Sequence, residues 1–276
     1  MIIKVLAENT SEAPQLQSEH GLSLLIETER HKILFDTGAS DLFIRNAGKM
    51  GVDLQEVDIM IISHGHSDHG GGLKAFMELN TKAPVYIEEK AFLPHYSGRM
   101  NGDTVSIGLD RNLLPNERFI FCRDELRLDD ELTLFAAVKG TRLLPSGNAT
   151  LYQESAGGMQ EDDFAHEQNL LIRYGNKLVL IAGCAHRGIL NIVERGSDIM
   201  RKDPDYVIGG FHLSSAGMRR CESPEFVGEL AVALLETGAQ YYTCHCTGIE
   251  SYDNLRMVMG DNIEYLSTGD QLTIYS

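Results

Sequence analysis

Tryptophan is absent, which slightly narrows the aromatic surface available for binding and excludes nothing else. Positive charge is scarce: 24 Lys and Arg stand against 40 Asp and Glu, for a formal net charge of −16. Such a surface repels the phosphate backbone of nucleic acids and anionic membranes. Divalent metals would neutralise only part of it, so nucleic acid is excluded as an expected partner. No stretch approaches the roughly 20 consecutive apolar residues of a membrane span, so no membrane partner is expected. The start, Met1 to Glu8, meets an acid before it can form the apolar core of a signal peptide. Cysteine is also sparse: five residues, an odd number in a chain this long, do not make a disulfide framework. The expected location is cytoplasmic, where thiols stay reduced for metal ligation or chemistry.

What is present suits a globular protein with a core of its own. Apolar residues make up 43% of 276, enough for a sizeable core in a single domain spanning 1–276. Leu22 to Ile26 and Lys32 to Phe35 flank a polar turn and predict a hairpin. A helix is expected from about Asp41 to Lys49, and Val57 to Ser63 is a compact apolar run suited to a buried strand. Gly70-Gly71-Gly72 leads into a helical spacing over Leu73 to Leu79. Strands are expected near Thr104 to Leu109, Arg118 to Cys122 and Glu131 to Ala136. Arg142 to Gln168 is polar and aperiodic, and a lid insertion is expected around 90–168, with a plain surface insertion as the alternative. Asn169 to Arg173 and Leu178 to Ala182 predict a hairpin around Gly175-Asn176, and Tyr206 to Ile208 and Gln240 to Thr243 are further strands. Ser223-Pro224-Glu225 is a helix start with a hydroxyl cap, and Gly238 stops that helix.

The densest chemistry is His64-Gly65-His66-Ser67-Asp68-His69, on a turn between a buried strand and a helix. Three imidazoles and a carboxylate within six residues offer N and O donors for zinc, iron or manganese. Residues two apart in an extended turn point the same way, so His64 and His66 can grip one ion while Asp68 and His69 face a second position. A structural zinc site would more often use four ligands, often Cys, and close its shell. Further ligands must return from elsewhere. Gly183-Cys184-Ala185-His186, Gly209-Gly210-Phe211-His212 and Cys244-His245-Cys246-Thr247-Gly248 each follow an apolar strand. One His at a strand end is commonly a hydrogen-bonded structural residue; three in that context point to ligation or catalysis.

These pieces, with Asp36-Thr37-Gly38, resemble the metallo-β-lactamase superfamily. Glu8-Asn9-Thr10, His20-Gly21-Leu22-Ser23 and the three strand-end motifs narrow the resemblance. They are similar to the branch of metal-dependent hydrolases that includes archaeal-type dihydropterin ribofuranosylaminobenzene phosphate synthase. The resemblance implies an α/β fold, a four-layer αββα sandwich of two mixed sheets with helices on both outer faces. It also implies a centre of two divalent ions, Zn2+ first with Fe or Mn as alternatives. His64 and His66 would hold one ion, Asp68 and His69 the other with His245, and Asp36 would orient the cluster loop. Cys184 occupies the place of the family's bridging Asp, so the bridge is a thiolate or is missing. His186 is the choice for the middle His, with His166 as the fallback.

The chemistry so implied is hydrolysis of an ester, amide or phosphoester-type substrate by a water whose pKa the ions lower from about 15.7 towards about 7. Asp68 would move the proton, and His212 would polarise the substrate or leaving group, or serve as a ligand. One alternative is condensation of a pterin-like alcohol with an arylamine, which needs an anion pocket; Arg219 and Arg220 could form it, or could be a solvated pair. A di-iron redox protein is another alternative, although such relatives use a flavin partner domain. Cys244 and Cys246 could tune His245 or respond to oxidation, while Cys122 and Cys221 are expected to pack. His20, His31 and His95 lack ligand spacing, though His20 would approach the site if its loop folds inward.

Overall fold

The computed structural model describes residues 1–276. Two seven-stranded sheets dominate it. The first runs Gln271–Thr273, Ile2–Ala7, Ser23–Glu27, Lys32–Phe35, Ile59–Ile61, Val85–Glu88, Phe119–Cys122. The second runs Ile263–Tyr265, Gln240–Thr243, Tyr206–Gly209, Lys177–Ile181, Asn169–Tyr174, Leu132–Phe135, Glu125–Arg127. Strand alternation sorts the apolar residues into three cores. Ile3, Val5, Leu24 and Ile26 meet Leu170, Ile172, Val179 and Ile181 between the sheets. Leu25 and Leu34 face outward onto Phe43 and Phe76 of the helices Leu42–Lys49 and Leu73–Leu79. Leu171 and Leu180 face outward onto residues such as Ile192, Leu230 and Leu255 of the helices Ile189–Met200, Pro224–Glu236 and Ile249–Met259. Strands buried on both faces read as continuous apolar runs, and the product is a four-layer αββα sandwich. No helix is long and apolar enough to cross a membrane.

The strand directions place the site. Lys177–Ile181, Tyr206–Gly209 and Gln240–Thr243 are parallel neighbours, so the loops after them emerge at one edge. Lys32–Phe35 and Ile59–Ile61 are likewise parallel, which brings Asp36 beside the residues that follow Ile62. Loops at such edges are where a rigid scaffold presents chemistry.

The region 90–168 is not one insertion. Phe119–Cys122 borders the first sheet, whereas Glu125–Arg127 and Leu132–Phe135 extend the second. What remains forms a four-stranded sheet, in the order Gly158–Glu161, Leu151–Ser155, His95–Gly98, Thr104–Ser106. The hairpin 151–161 lies inside the stretch that showed no periodicity, because Gly158–Glu161 is exposed throughout and carries no apolar face. Two unforeseen helices, Ile189–Met200 and Ile249–Met259, start at Gly188 and Gly248, both at positive φ, without a capping side chain.

Gln168 ties the sheets together at the site edge. Its backbone N–H donates to Ser63 O at 2.7 Å, and its Nε2 donates to Ile62 O and Tyr86 O at 2.7 and 3.0 Å. Gln168→Ala removes a buried donor from two carbonyls, and a loss of about 1–3 kcal/mol is expected. The urea unfolding midpoint measures it.

Candidate metal centre

The strand-end loops are held in unusual backbone conformations. Asp36, Ala185, His212 and His245 have φ of 60°, 55°, 51° and 48°. For residues with a Cβ this left-handed region costs about 1–2 kcal/mol each, and such strain collects where geometry serves function. Gly183 leaves no room for a Cβ against the Ser63 side chain, so only glycine lets its loop lie against the cluster.

Four imidazoles are anchored through Nδ1. His69 Nδ1 is 2.6 Å from Asp36 Oδ2. Asp36 also accepts from Ser63 N and Ser63 Oγ, both at 2.7 Å. With its hydroxyl proton given to Asp36, Ser63 Oγ accepts from His64 Nδ1 at 2.8 Å. Asn9 Nδ2 donates to His245 O, which turns Asn9 Oδ1 to accept from His245 Nδ1 at 2.7 Å. Asn148 grips His186 the same way, donating to its carbonyl at 2.7 Å and accepting from Nδ1 at 3.1 Å. In each ring Nδ1–H is spent outward, which leaves the Nε2 lone pair turned inward.

Those lone pairs converge. The Nε2 atoms of His64, His66 and His186 are buried without a partner, an arrangement that costs free energy unless something supplies positive charge. His69 Nε2 is 3.2 Å from His245 Nε2 and 3.0 Å from Cys184 Sγ. Asp68 Oδ2 lies 3.4 Å from His245 Nε2 and 3.9 Å from His69 Nε2. Two nitrogens on a tetrahedral zinc, each about 2.0–2.1 Å from it, would stand about 3.3 Å apart. The donor set therefore fits a divalent cation. Four groups have ligand atoms mutually within 4.8 Å, one of them around Asp162, another Cys184, His212 and Cys246, and two at the heart of the histidine cluster: Asp68, His69, Cys184 and His245, and His64, Cys184 and His186. Cys184 is common to these last two.

Burial, reinforced by neighbouring imidazoles, holds His64 and His186 well below the usual histidine range, so both are neutral donors. Burial opposes the charge on His69, but the Asp36 and Asp68 carboxylates outweigh it and raise its pKa to about 9, so a cation bound at Nε2 must displace a proton from that atom. Burial likewise disfavours the Asp68 carboxylate, yet His69, His20 and His245 keep it well below the carboxylate range. Burial pushes the Cys184 thiol up.

His66 sits at a junction. Its ring is 4.6 Å from that of His64 and 4.9 Å from that of His186, yet its Nε2 faces Asp162 Oδ2 at 3.9 Å. Its ligand atoms group with those of His95, Asp162 and His166 instead. Asp162 Oδ2 accepts from His95 Nδ1 at 2.9 Å and His166 Nε2 at 3.1 Å. His166 Nδ1 accepts from Gly65 N at 2.9 Å. Both His166 nitrogens are thus spent bracing the cluster loop, whereas His186 keeps a free Nε2. Asn9, Asn148, Ser63 and Asp162 were not singled out from sequence as contacts of the cluster; single polar residues in polar loops carry no spacing signal.

His212 has both ring nitrogens buried without partners and packs on His186 at 4.1 Å between ring centroids. Its backbone N–H donates to Cys246 Sγ at 3.2 Å. His20 does fold inward, with Nε2 3.3 Å from Asp68 Oδ2. Cys122 and Cys244 pack between the sheets, while Cys221 lies half-buried on the short strand Arg220–Cys221. Arg219 lines the main cavity and Arg220 does not. That cavity, about 840 Å³, is bordered by His66, Asp68, Cys184, His186, His212 and Cys246, with walls from the third sheet and from residues 214–219.

The metallo-beta-lactamase superfamily model matches residues 18–158. A Methanocaldococcus jannaschii protein named 7,8-dihydropterin-6-methyl-4-(beta-D-ribofuranosyl)-aminobenzene-5'-phosphate synthase is 28% identical over 267 residues, 91% of this chain and 89% of its own. An uncharacterised protein of the same organism is 28% identical over 261 residues, 92% of this chain and 93% of its own. The solved structure of a metal-dependent hydrolase of the beta-lactamase superfamily aligns over 100% of both chains, at 32% identity and a TM-score of 0.83. With its αββα layers and its histidine cluster at the shared sheet edge, the chain belongs to the metallo-β-lactamase superfamily.

Proposed function

We propose that the chain is a hydrolase with a two-ion centre acting on a small ester, amide or phosphoester-type substrate. The observation that carries this reading is the set of inward-turned Nε2 lone pairs packed around Cys184. His64, His66 and His186 would hold one ion, and Asp68, His69 and His245 the other, with Cys184 between them. His66 Nε2 makes no hydrogen bond, so turning its ring from Asp162, 3.9 Å away, towards His64 and His186 breaks none. Zinc best suits a mixed N, O and S donor set, with iron or manganese as alternatives. When bound, such ions supply Lewis acidity and draw the pKa of a water from about 15.7 towards about 7.

The chain's own groups do the rest. Asp68 borders the cavity, and half-exposed His20 stands 3.3 Å from it, so a proton leaving the centre has an exit to solvent through His20 Nε2 while Asp68 stays ionised. His212 presents two unpartnered ring nitrogens beside His186, and its ring N–H can donate to a developing charge on the leaving group. A cavity of about 840 Å³ suits a small molecule. The similarity to a synthase over 89% of that protein supports a second reading, in which an arylamine nitrogen attacks the carbon of a pterin alcohol, a C–N bond forms, the C–O bond breaks, and the oxygen leaves as water with the amine proton. Incubating the metal-loaded protein with a pterin alcohol and an arylamine, and separately with a panel of esters, separates them: a coupled product favours the synthase, cleavage without coupling the hydrolase.

Metal analysis of His186→Ala should show bound zinc falling from about two to about one equivalent per chain. His166→Ala should keep about two, with weaker affinity as Gly65 loses its acceptor. The opposite pattern would make His166 the ligand. In the cobalt-loaded protein a thiolate-to-metal charge-transfer band is expected, and Cys184→Ser should abolish it. A band that persists would assign the thiolate to Cys246.

A further inference from the structure

The cavity has a wall that hydrolysis at the metal cluster leaves unused. Arg99 follows the strand His95–Gly98, and Arg219 lies in the turn joining Ser214–Ser215 to Arg220–Cys221; both residues border the cavity. The two hairpins touch at Gly217. A Cβ there would overlap Arg99 Nη1 and would stand 3.1 Å from both Ser97 Oγ and Gly98 O, so glycine is what lets the guanidinium lie across the turn.

Neither arginine is neutralised. Arg99 makes a single side-chain hydrogen bond, from Nη1 to Ser97 Oγ at 2.7 Å. Arg219 makes none, and its backbone is held at φ 50°. Other arginines, such as Arg111 and Arg201, also lack a carboxylate partner; what sets Arg99 and Arg219 apart is that both border the same cavity. In a chain with 40 acids and 24 bases, two guanidinium groups kept clear of acids in one cavity form a local reversal of charge. Two acids share the lining. Asp68 belongs to the metal cluster, and Asp103 Oδ2 accepts from Asn101 Nδ2 at 2.7 Å. Guanidinium donors matched to oxygen pairs recognise phosphate and carboxylate in bidentate geometry, and Ser214 and Ser215 add hydroxyls to the same wall.

We infer that Arg99 and Arg219 form an anion subsite that grips a terminal oxyanion of the substrate, a phosphate monoester or a carboxylate, while the scissile group lies over the metal cluster. This inference rests on the proposed reactive centre and narrows its substrates to anionic small molecules.

Calorimetric titration of the metal-loaded protein with phenyl phosphate and with benzoate tests it, with metal content and far-UV circular dichroism recorded for each variant. The double variant Arg99→Met/Arg219→Met should bind its preferred probe at least about tenfold more weakly than the unsubstituted protein, at unchanged metal content. Arg99→Lys/Arg219→Lys should recover part of the loss. The stronger of the two probes identifies the oxyanion. Equal affinity in the unsubstituted and Met variants would overturn the inference, because the anion would then sit on the metals alone; so would failure of the unsubstituted protein to bind either probe. Loss of binding in the Met variant, together with no cleavage across the ester panel, would keep the subsite and reject the hydrolase reading.

Discussion

Asp36 is a fully buried carboxylate, and the geometry of the metal cluster hangs on it. A charge in such a place is tolerated only when its lone pairs are taken up. Asp36 spends them on the Ser63 backbone, the Ser63 hydroxyl and His69 Nδ1, at 2.6–2.7 Å. Through the hydroxyl it also fixes the tautomer of His64, because Ser63 can accept from His64 only once its own proton is committed. One carboxylate thereby aims two ligand-grade nitrogens. Its left-handed backbone carries it beneath the cluster loop, and Ser23 Oγ holds its carbonyl at 2.9 Å.

The sandwich supplies the rigidity that this arrangement needs. Three apolar cores fix both sheets, and the parallel strands of each deliver their following loops to one edge. Glycines at the close approaches and strained residues at the strand ends then trade local stability for position. The Asn9 and Asn148 clamps repeat the principle at His245 and His186. An outer amide that binds both the backbone and the ring of one histidine leaves that ring a single orientation. The far wall of the cavity comes from the small third sheet and the hairpin 214–221, elements outside the sandwich itself.

Much of this was legible in the residue order, for definite reasons. Strands such as Lys32–Phe35 and Lys177–Ile181 are buried on both faces and stand out as apolar runs. The helix Pro224–Glu236 announces itself with Ser223 as its cap, whose hydroxyl accepts from Phe226 N. The helices after Gly188 and Gly248 carry no such signal. The histidine cluster was legible because its donors are adjacent in sequence. The clamps were not: Asn9 lies 236 residues from His245, and only the folded chain brings them together. Asp162 likewise gains its role from His66 in the cluster loop and His95 at the start of a strand, both distant in sequence, joined by His166 four residues on. Arg219 was separable from Arg220 only in the folded chain, where the 214–221 hairpin sets the first and not the second on the border of the main cavity.

The central proposal is that Cys184 would be shared by two cations, each held by inward-facing imidazoles. Anomalous diffraction from zinc-loaded crystals tests it most directly. Two peaks are expected, one among Asp68, His69 and His245 and one among His64, His66 and His186, each within about 2.3 Å of Cys184 Sγ. A single peak, or two peaks with Cys184 Sγ bound to neither, would contradict the account.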